Sequence, residues 1–261
     1  MLENFQSAMK IEFEMTDLGL MKYFLGIQVE QSNNRIFICK QNYVKNVLNI
    51  FKTTNCKPTD NRVETCTKLS EQDQGSVVDP TLYKILVSIL MHLIAIRPNI
   101  MYDVSLISKF MEIPKYSRWQ EGNRILRYIT GTTNFGIMCS ATNSSSLVGY
   151  TGSDFESSID DIKITLGYVF HLESGLISCA SKKHPIVSIY STKIEFVAAT
   201  STYCHVVWLR IILEEIQHKE NEATKIFCDN NSAITLFKNH VFHRKSKHID
   251  TRYHFIKELV K

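Results

Sequence analysis

The chain has 261 residues, 44% of them hydrophobic and 21% charged, proportions that suit a globular protein with a real core. A formal net charge of +4 is compatible with a polyanionic partner but does not require one. The seven cysteines are odd in number and include no CxxC pair, which argues against a disulfide framework or zinc knuckle and for reduced thiols in an intracellular protein.

The opening "MLENFQSAMKIEFEM" lacks an apolar run flanked by basic residues, so it does not read as a signal peptide. "LMKYFLGIQVEQ" and "NRIFICKQ" are two β-prone runs joined at Ser32–Asn34, a hairpin. In "NYVKNVLNIFK", Val44, Val47, Leu48 and Phe51 recur at helical spacing. Residues 54 to 80 are polar and punctuated by Pro58, Gly75 and Pro80, which predicts a long irregular connection. Asp79 before Pro80 then starts a helix that ends at Arg97–Pro98. Its apolar stretch, Ile85 to Ile96, falls short of the ~20 residues a bilayer span needs and reads as a core helix. Two further helices follow, over "IMYDVSLISKFME" and "SRWQEGNRILRYITGT", the second with Ser117 as its cap and Gly131 at its end.

After residue 140 the texture changes. "NSSS" (Asn143 to Ser146) reads as a linker or tight turn, and "LVGYT", "ITLGYVFHL" and "GLISCAS" read as strands, with "ESG" turning between the last two. A long helix from about Thr192 to Ile216 precedes a strand, "TKIFCD", and two helices, "NSAITLFKN" and "TRYHFIKELVK". Hairpin strands followed by a β-α unit predict an α/β fold, a mixed sheet covered by helices.

Several segments, in order, resemble the end of the Pol polyprotein of copia-type retrotransposons: "FEMTDLGLMKYFLGIQV", "DPTLYKILVSIL", "RPNIMYDVSLISKFME", "RILRYITGT" and "FCDNNSAITLFKNHVFHRKSKHIDTRYHFIKE". The resemblance implies two parts. Residues 1–140 would be the C-terminal remnant of a reverse transcriptase, a hairpin plus the helical thumb and connection region. Residues 141–261 would be a ribonuclease H-like domain, a mixed sheet with flanking helices that cuts RNA in RNA–DNA hybrids. The family's polymerase sequence Tyr-Val-Asp-Asp is absent, so polymerase chemistry, which needs those carboxylates for its metals, is not expected of this chain.

Ribonuclease H chemistry needs carboxylates from several elements to hold Mg2+, a hard ion that takes oxygen ligands. The resemblance assigns this role to Glu195, Asp229 and Asp250. Read from the residues alone, Glu195 also fits a capping box with Thr192, and Asp229 and Asp250 also fit helix caps. The family's fourth aspartate is replaced by Gly152, which leaves Asp154 as the candidate fourth catalytic and metal residue. The family pattern Tyr-Thr-Asp-Ser-Asp-Trp stands here as Tyr150, Thr151, Gly152, Ser153, Asp154, Phe155. Asp154 shares a strand face with position 152 but lies about 6.6 Å further along. The family's Asp-Asp-Arg-Arg-Ser-Thr-Ser-Gly has likewise become "DDIKITLG".

The basic residues Lys182 and Lys183, in a predicted loop, and Arg244, Lys245, Lys247, His248 and Arg252 form a candidate phosphate-binding set. Each also reads as solvated surface, while Trp119 and Trp208 read as core. The expected partners are an RNA–DNA hybrid or other nucleic acid and other parts of Pol, without a membrane. The rival readings are a non-enzymatic relic that keeps the fold and weak nucleic-acid binding, and an interaction module over residues 80–130.

Overall fold

The computed structural model describes residues 2–14, 19–62, 75–140, 146–154, 164–184, 191–220 and 222–238. They form a mixed α/β structure with two four-stranded sheets and seven α-helices. A helix the sequence reading did not mark, α1 (Leu2–Glu12), precedes β1 (Tyr23–Phe24). The hairpin pairs β2 (Ile27–Ser32) with β3 (Arg35–Cys39) across Asn33 and Asn34. Next comes α2 (Gln41–Ile50), whose Val44, Val47 and Leu48 are buried at the predicted spacing.

Asp79 starts α3 (Pro80–Ile94) by accepting a 2.9 Å hydrogen bond from the Thr81 amide. A short 3-10 turn (Pro98–Ile100) leads into α4 (Met101–Ser108), then α5 (Tyr116–Gly131). Leu86, Leu90, Leu93, Ile107 and Ile125 are fully buried where these helices meet. Ser117 does not cap α5. The cap position is Lys115, and the Ser117 hydroxyl inside the first turn accepts from Arg118. Trp119 packs against the helical core as expected, whereas Trp208 is 52% exposed.

A second unmarked element, β4 (Gly136–Ser140), returns to pair antiparallel with β3 and completes the sheet β1-β2-β3-β4. Five residues with weak alternation give little signal. Its position shows in Gly136, where a Cβ would lie 2.2 Å from the Ile38 carbonyl oxygen.

The second sheet has the order β7-β6-β5-β8. β5 (Leu147–Asp154), β6 (Ile164–Leu172) and β7 (Gly175–His184) are antiparallel, and β8 (Lys225–Cys228) joins β5 in parallel. Along β5 the side chains alternate. Leu147, Thr151 and Ser153 face α6 (Ser191–Glu215), with Thr151 accepting from the Thr202 hydroxyl at 2.9 Å. Val148, Tyr150, Gly152 and Asp154 face the other way. By length and hydropathy, Ile194–Glu215 is apolar enough to cross a membrane, yet half of that window is buried within the protein. Phe196, Val206, Leu209 and Leu213 are among its buried residues, the pattern of a core helix. α7 (Asn231–Lys238) closes the described chain, and the predicted helix over 251–261 lies outside the described residues.

The two sheets meet. The Tyr102 hydroxyl on α4 donates to Asp154 at 2.5 Å, Ser105 lies 3.4 Å from Ser181, and the Ser140 amide donates to Ser174 at 3.0 Å.

Candidate metal centre

Parallel pairing of β5 with β8 sets Thr151 opposite Cys228. The next residues, Gly152 and Asp229, are therefore neighbours where β8 ends, at the carboxyl ends of two parallel strands, a common place for sites in such sheets. Asp229 does not cap the following helix. That role falls to Asn230, whose side-chain oxygen accepts from the Ala233 amide at 3.0 Å. Asp229 is thereby left for other contacts.

Glu195 enters from the first turns of α6 and is 7% exposed. Its Oε1 accepts a 2.5 Å hydrogen bond from the Ser153 hydroxyl, and its Oε2 is buried with no hydrogen-bond partner among the described residues. One ligand atom each from Glu195, Cys228 and Asp229 lie within 4.8 Å of one another. Burial pushes the Cys228 thiol up, and the charges of Glu195 and Asp229 push it further, against a backbone hydrogen bond from Asn230 that lowers it. Two carboxylates and a thiol thus converge, with an acceptor oxygen that has no donor among the described residues.

Asp154 stands apart from this group. Its carboxylate takes the Tyr102 hydroxyl on the face opposite Ser153. Burial raises the tyrosine's pKa, and the Asp154 charge and hydrogen bond hold its proton more firmly still. Position 152 is open, since a Cβ built on Gly152 meets nothing within 4 Å. It lines a cleft of about 450 Å³ shared with Met101, Tyr102, Tyr150, Asp154 and Ser181.

Lys182 and Lys183 sit within strand β7, not in a loop, and pair with Leu166 and Thr165. Both are exposed. As adjacent strand residues they serve opposite faces. Asp250, Arg244, Lys245, Lys247, His248 and Arg252 lie outside the described residues. Sequence reasoning missed Ser153, Cys228 and Tyr102. For the first two, the available signal was strand alternation, which sets Ser153 and Cys228 on the helix side of adjacent strands. Nothing local marks Tyr102.

Comparison with known proteins gives an independent line. A family described as Reverse transcriptase (RNA-dependent DNA polymerase) matches residues 1–65. The Retrovirus-related Pol polyprotein from transposon TNT 1-94 of Nicotiana tabacum is 33% identical over 257 residues, which cover 95% of this chain and 19% of that protein. Those from transposons RE1 and RE2 of Arabidopsis thaliana are 33% and 31% identical over 260 residues, covering all of this chain and 18% of each. The chain spans about a fifth of the length of these curated relatives. No solved structure matches.

Proposed function

The chain belongs with the Pol polyproteins of copia-type retrotransposons, matching about a fifth of their length, and we propose that residues 141–261 form a ribonuclease H-type domain that hydrolyses RNA in RNA–DNA hybrids, with activity reduced by Gly152. The observation that carries this reading is the meeting of Glu195 and Asp229 beside position 152, with one Glu195 oxygen buried and lacking a donor. Three antiparallel strands with a fourth parallel to the first, backed by a long helix, suit the same domain type.

The donor set fits Mg2+ at one position. Glu195 and Asp229 would hold it, with Asp250 as a third ligand, since Mg2+ is commonly held by one or two carboxylates and keeps several waters. The bound ion supplies charge stabilisation to the phosphate and a more acidic water. The chain's own residues do the rest. Ser153 fixes the Glu195 carboxylate through Oε1, while Oε2 is buried with no hydrogen-bond partner among the described residues. Gly152 offers no side-chain oxygen and so would add no ligand of its own. Asp154 ties the strand end to α4 through Tyr102 and serves as a positioning residue. Lys182, Lys183 and the basic set Arg244, Lys245, Lys247, His248 and Arg252 would neutralise hybrid phosphates.

The test is cleavage of a labelled RNA–DNA hybrid with Mg2+. We expect slow cleavage by the natural chain, none by Asp229→Asn, and a rate raised about 10-fold or more by Gly152→Asp, a barrier change of at least ~1.4 kcal/mol. Absence of cleavage in both the natural chain and Gly152→Asp would sink the nuclease reading and leave a non-enzymatic relic.

A further inference from the structure

The face of the second sheet that turns away from α6 carries aromatic rings that the candidate metal centre does not use. Residues in register on adjacent strands share a face, so Tyr150 of β5 stands beside Phe227 of β8. Their rings stack, with centroids 5.2 Å apart and planes inclined by 20°. His171 on β6 meets the Tyr150 ring in a T-shaped pair at 6.0 Å. Tyr150 is 47% exposed and Phe227 52% exposed. Lys225, two residues before Phe227, is exposed on the same face beside Val148. Helix α4 packs on this face towards its other end, through Tyr102 to Asp154 and Ser105 to Ser181. Scattered apolar side chains are ordinary on a surface, but stacked rings half open to solvent form a patch that a ligand would cover.

We propose that Tyr150, Phe227 and His171 form a stacking platform for the unpaired bases of a single-stranded nucleic acid, with Lys225 meeting a backbone phosphate. Every base has a π face, so such a platform holds RNA and DNA strands alike with little sequence preference. An aromatic-bearing sheet face is one way in which proteins hold splayed single strands. A base inside a duplex has both faces covered by its neighbours. The platform therefore takes single strands and not the paired hybrid of the proposed cleavage reaction. The formal charge of +4 and the exposed Lys225 ammonium suit a polyanion, while the Asp154 carboxylate at the far end of the face is engaged by Tyr102. The inference stands without the nuclease reading, because the platform shares no residue with the proposed metal site.

The full chain, in EDTA, is titrated into fluorescein-labelled oligothymidylate and oligouridylate of about 12 nucleotides, and anisotropy is read. We expect both strands to bind, and an abasic strand of the same length to bind about 5-fold or more weakly. Tyr150→Ala and Phe227→Ala should each weaken binding by about 5-fold or more with circular dichroism unchanged, and Tyr150→Phe should keep it. Lys225→Ala should reduce the slope of log affinity against log salt by about 0.7. Photocrosslinking of an iodouracil-containing strand to the natural chain should label Tyr150 or Phe227, a readout that needs no variant to fold. Equal affinity for the abasic strand, ring variants that bind as the natural chain does, or crosslinks confined to other residues overturn the proposal. So does a blunt RNA–DNA hybrid that displaces the strand as well as an unlabelled strand does. Strand binding through the rings without hybrid cleavage keeps the platform and removes the nuclease, and Mg2+-dependent cleavage without a crosslink at the rings does the reverse.

Discussion

Asp103 on α4 is 6% exposed, with Oδ2 lying 3.5 Å from Arg62 Nε. Burial pushes its carboxyl up to about 6 from an ordinary 3.8, with Glu121 adding to the rise and Arg62 opposing it. A folded-state pKa above the unfolded one means the native state holds the proton more tightly. The stability this contributes is full below about pH 4 and is lost as pH rises through 6, up to about 3 kcal/mol. Asp103→Asn should therefore flatten the pH dependence of the urea midpoint across that window. A profile matching the natural chain would contradict the assignment. At the proposed metal site, Asp154→Asn should leave Mn2+ affinity unchanged by calorimetry, whereas Asp229→Asn should remove it. Equal losses would make Asp154 a ligand after all. The candidate site was legible through the family resemblance, because Glu195 and Asp229 read from the residues alone also fit helix caps. Their alternative roles as caps could be separated only in three dimensions. The cap of α7 falls to Asn230, one residue beyond Asp229, and Glu195 takes its hydrogen bond from Ser153 on another element. Tyr102 and Asp154 are far apart in sequence, and no local pattern predicts their meeting.

The helices α2, α3, α5 and α6 lie close to where the sequence reading places them, α2 by its apolar spacing. The missed β4 depends on a distant partner for its identity, and Gly136 is the residue on which it turns. Gly136→Ala puts a methyl against the Ile38 carbonyl, a backbone atom that cannot swing aside. The expected cost is about 1–3 kcal/mol, read as a lowered denaturation midpoint with faster amide exchange in β3 and β4. A midpoint unchanged within error would count against the close approach. At the other edge of this sheet, Leu25 is 76% exposed with φ 48° in the turn between β1 and β2. A large apolar residue is poorly suited to both conditions. Leu25→Asn should raise stability by about 0.5–1 kcal/mol and reduce aggregation. Lower stability would show that Leu25 makes a contact worth more than its strain.

At the scale of the whole molecule, polar contacts join the two parts, among them the charge-assisted bond from Tyr102 to Asp154. Tyr102→Phe keeps the ring and removes the donor, at an expected cost of about 1.5–3 kcal/mol. Amide exchange should quicken at the end of β5 and in α4 while the helical core keeps its protection. Uniform loss of protection would mean that the two halves unfold as one unit. The antiparallel register of β3 on β4 has a further consequence, one of timing. Residues 35–39 bind residues 136–140, so this sheet closes only around the whole intervening helical segment. Contacts of such separation slow folding, because the loop must be ordered before the pairing repays it. During synthesis at about 5–20 residues per second, the hairpin would wait roughly 5–20 seconds for its partner strand to emerge. For that interval the open edge of β3 is exposed on the nascent chain, and the vulnerability of this protein to mispairing lies there, before the second sheet has been made.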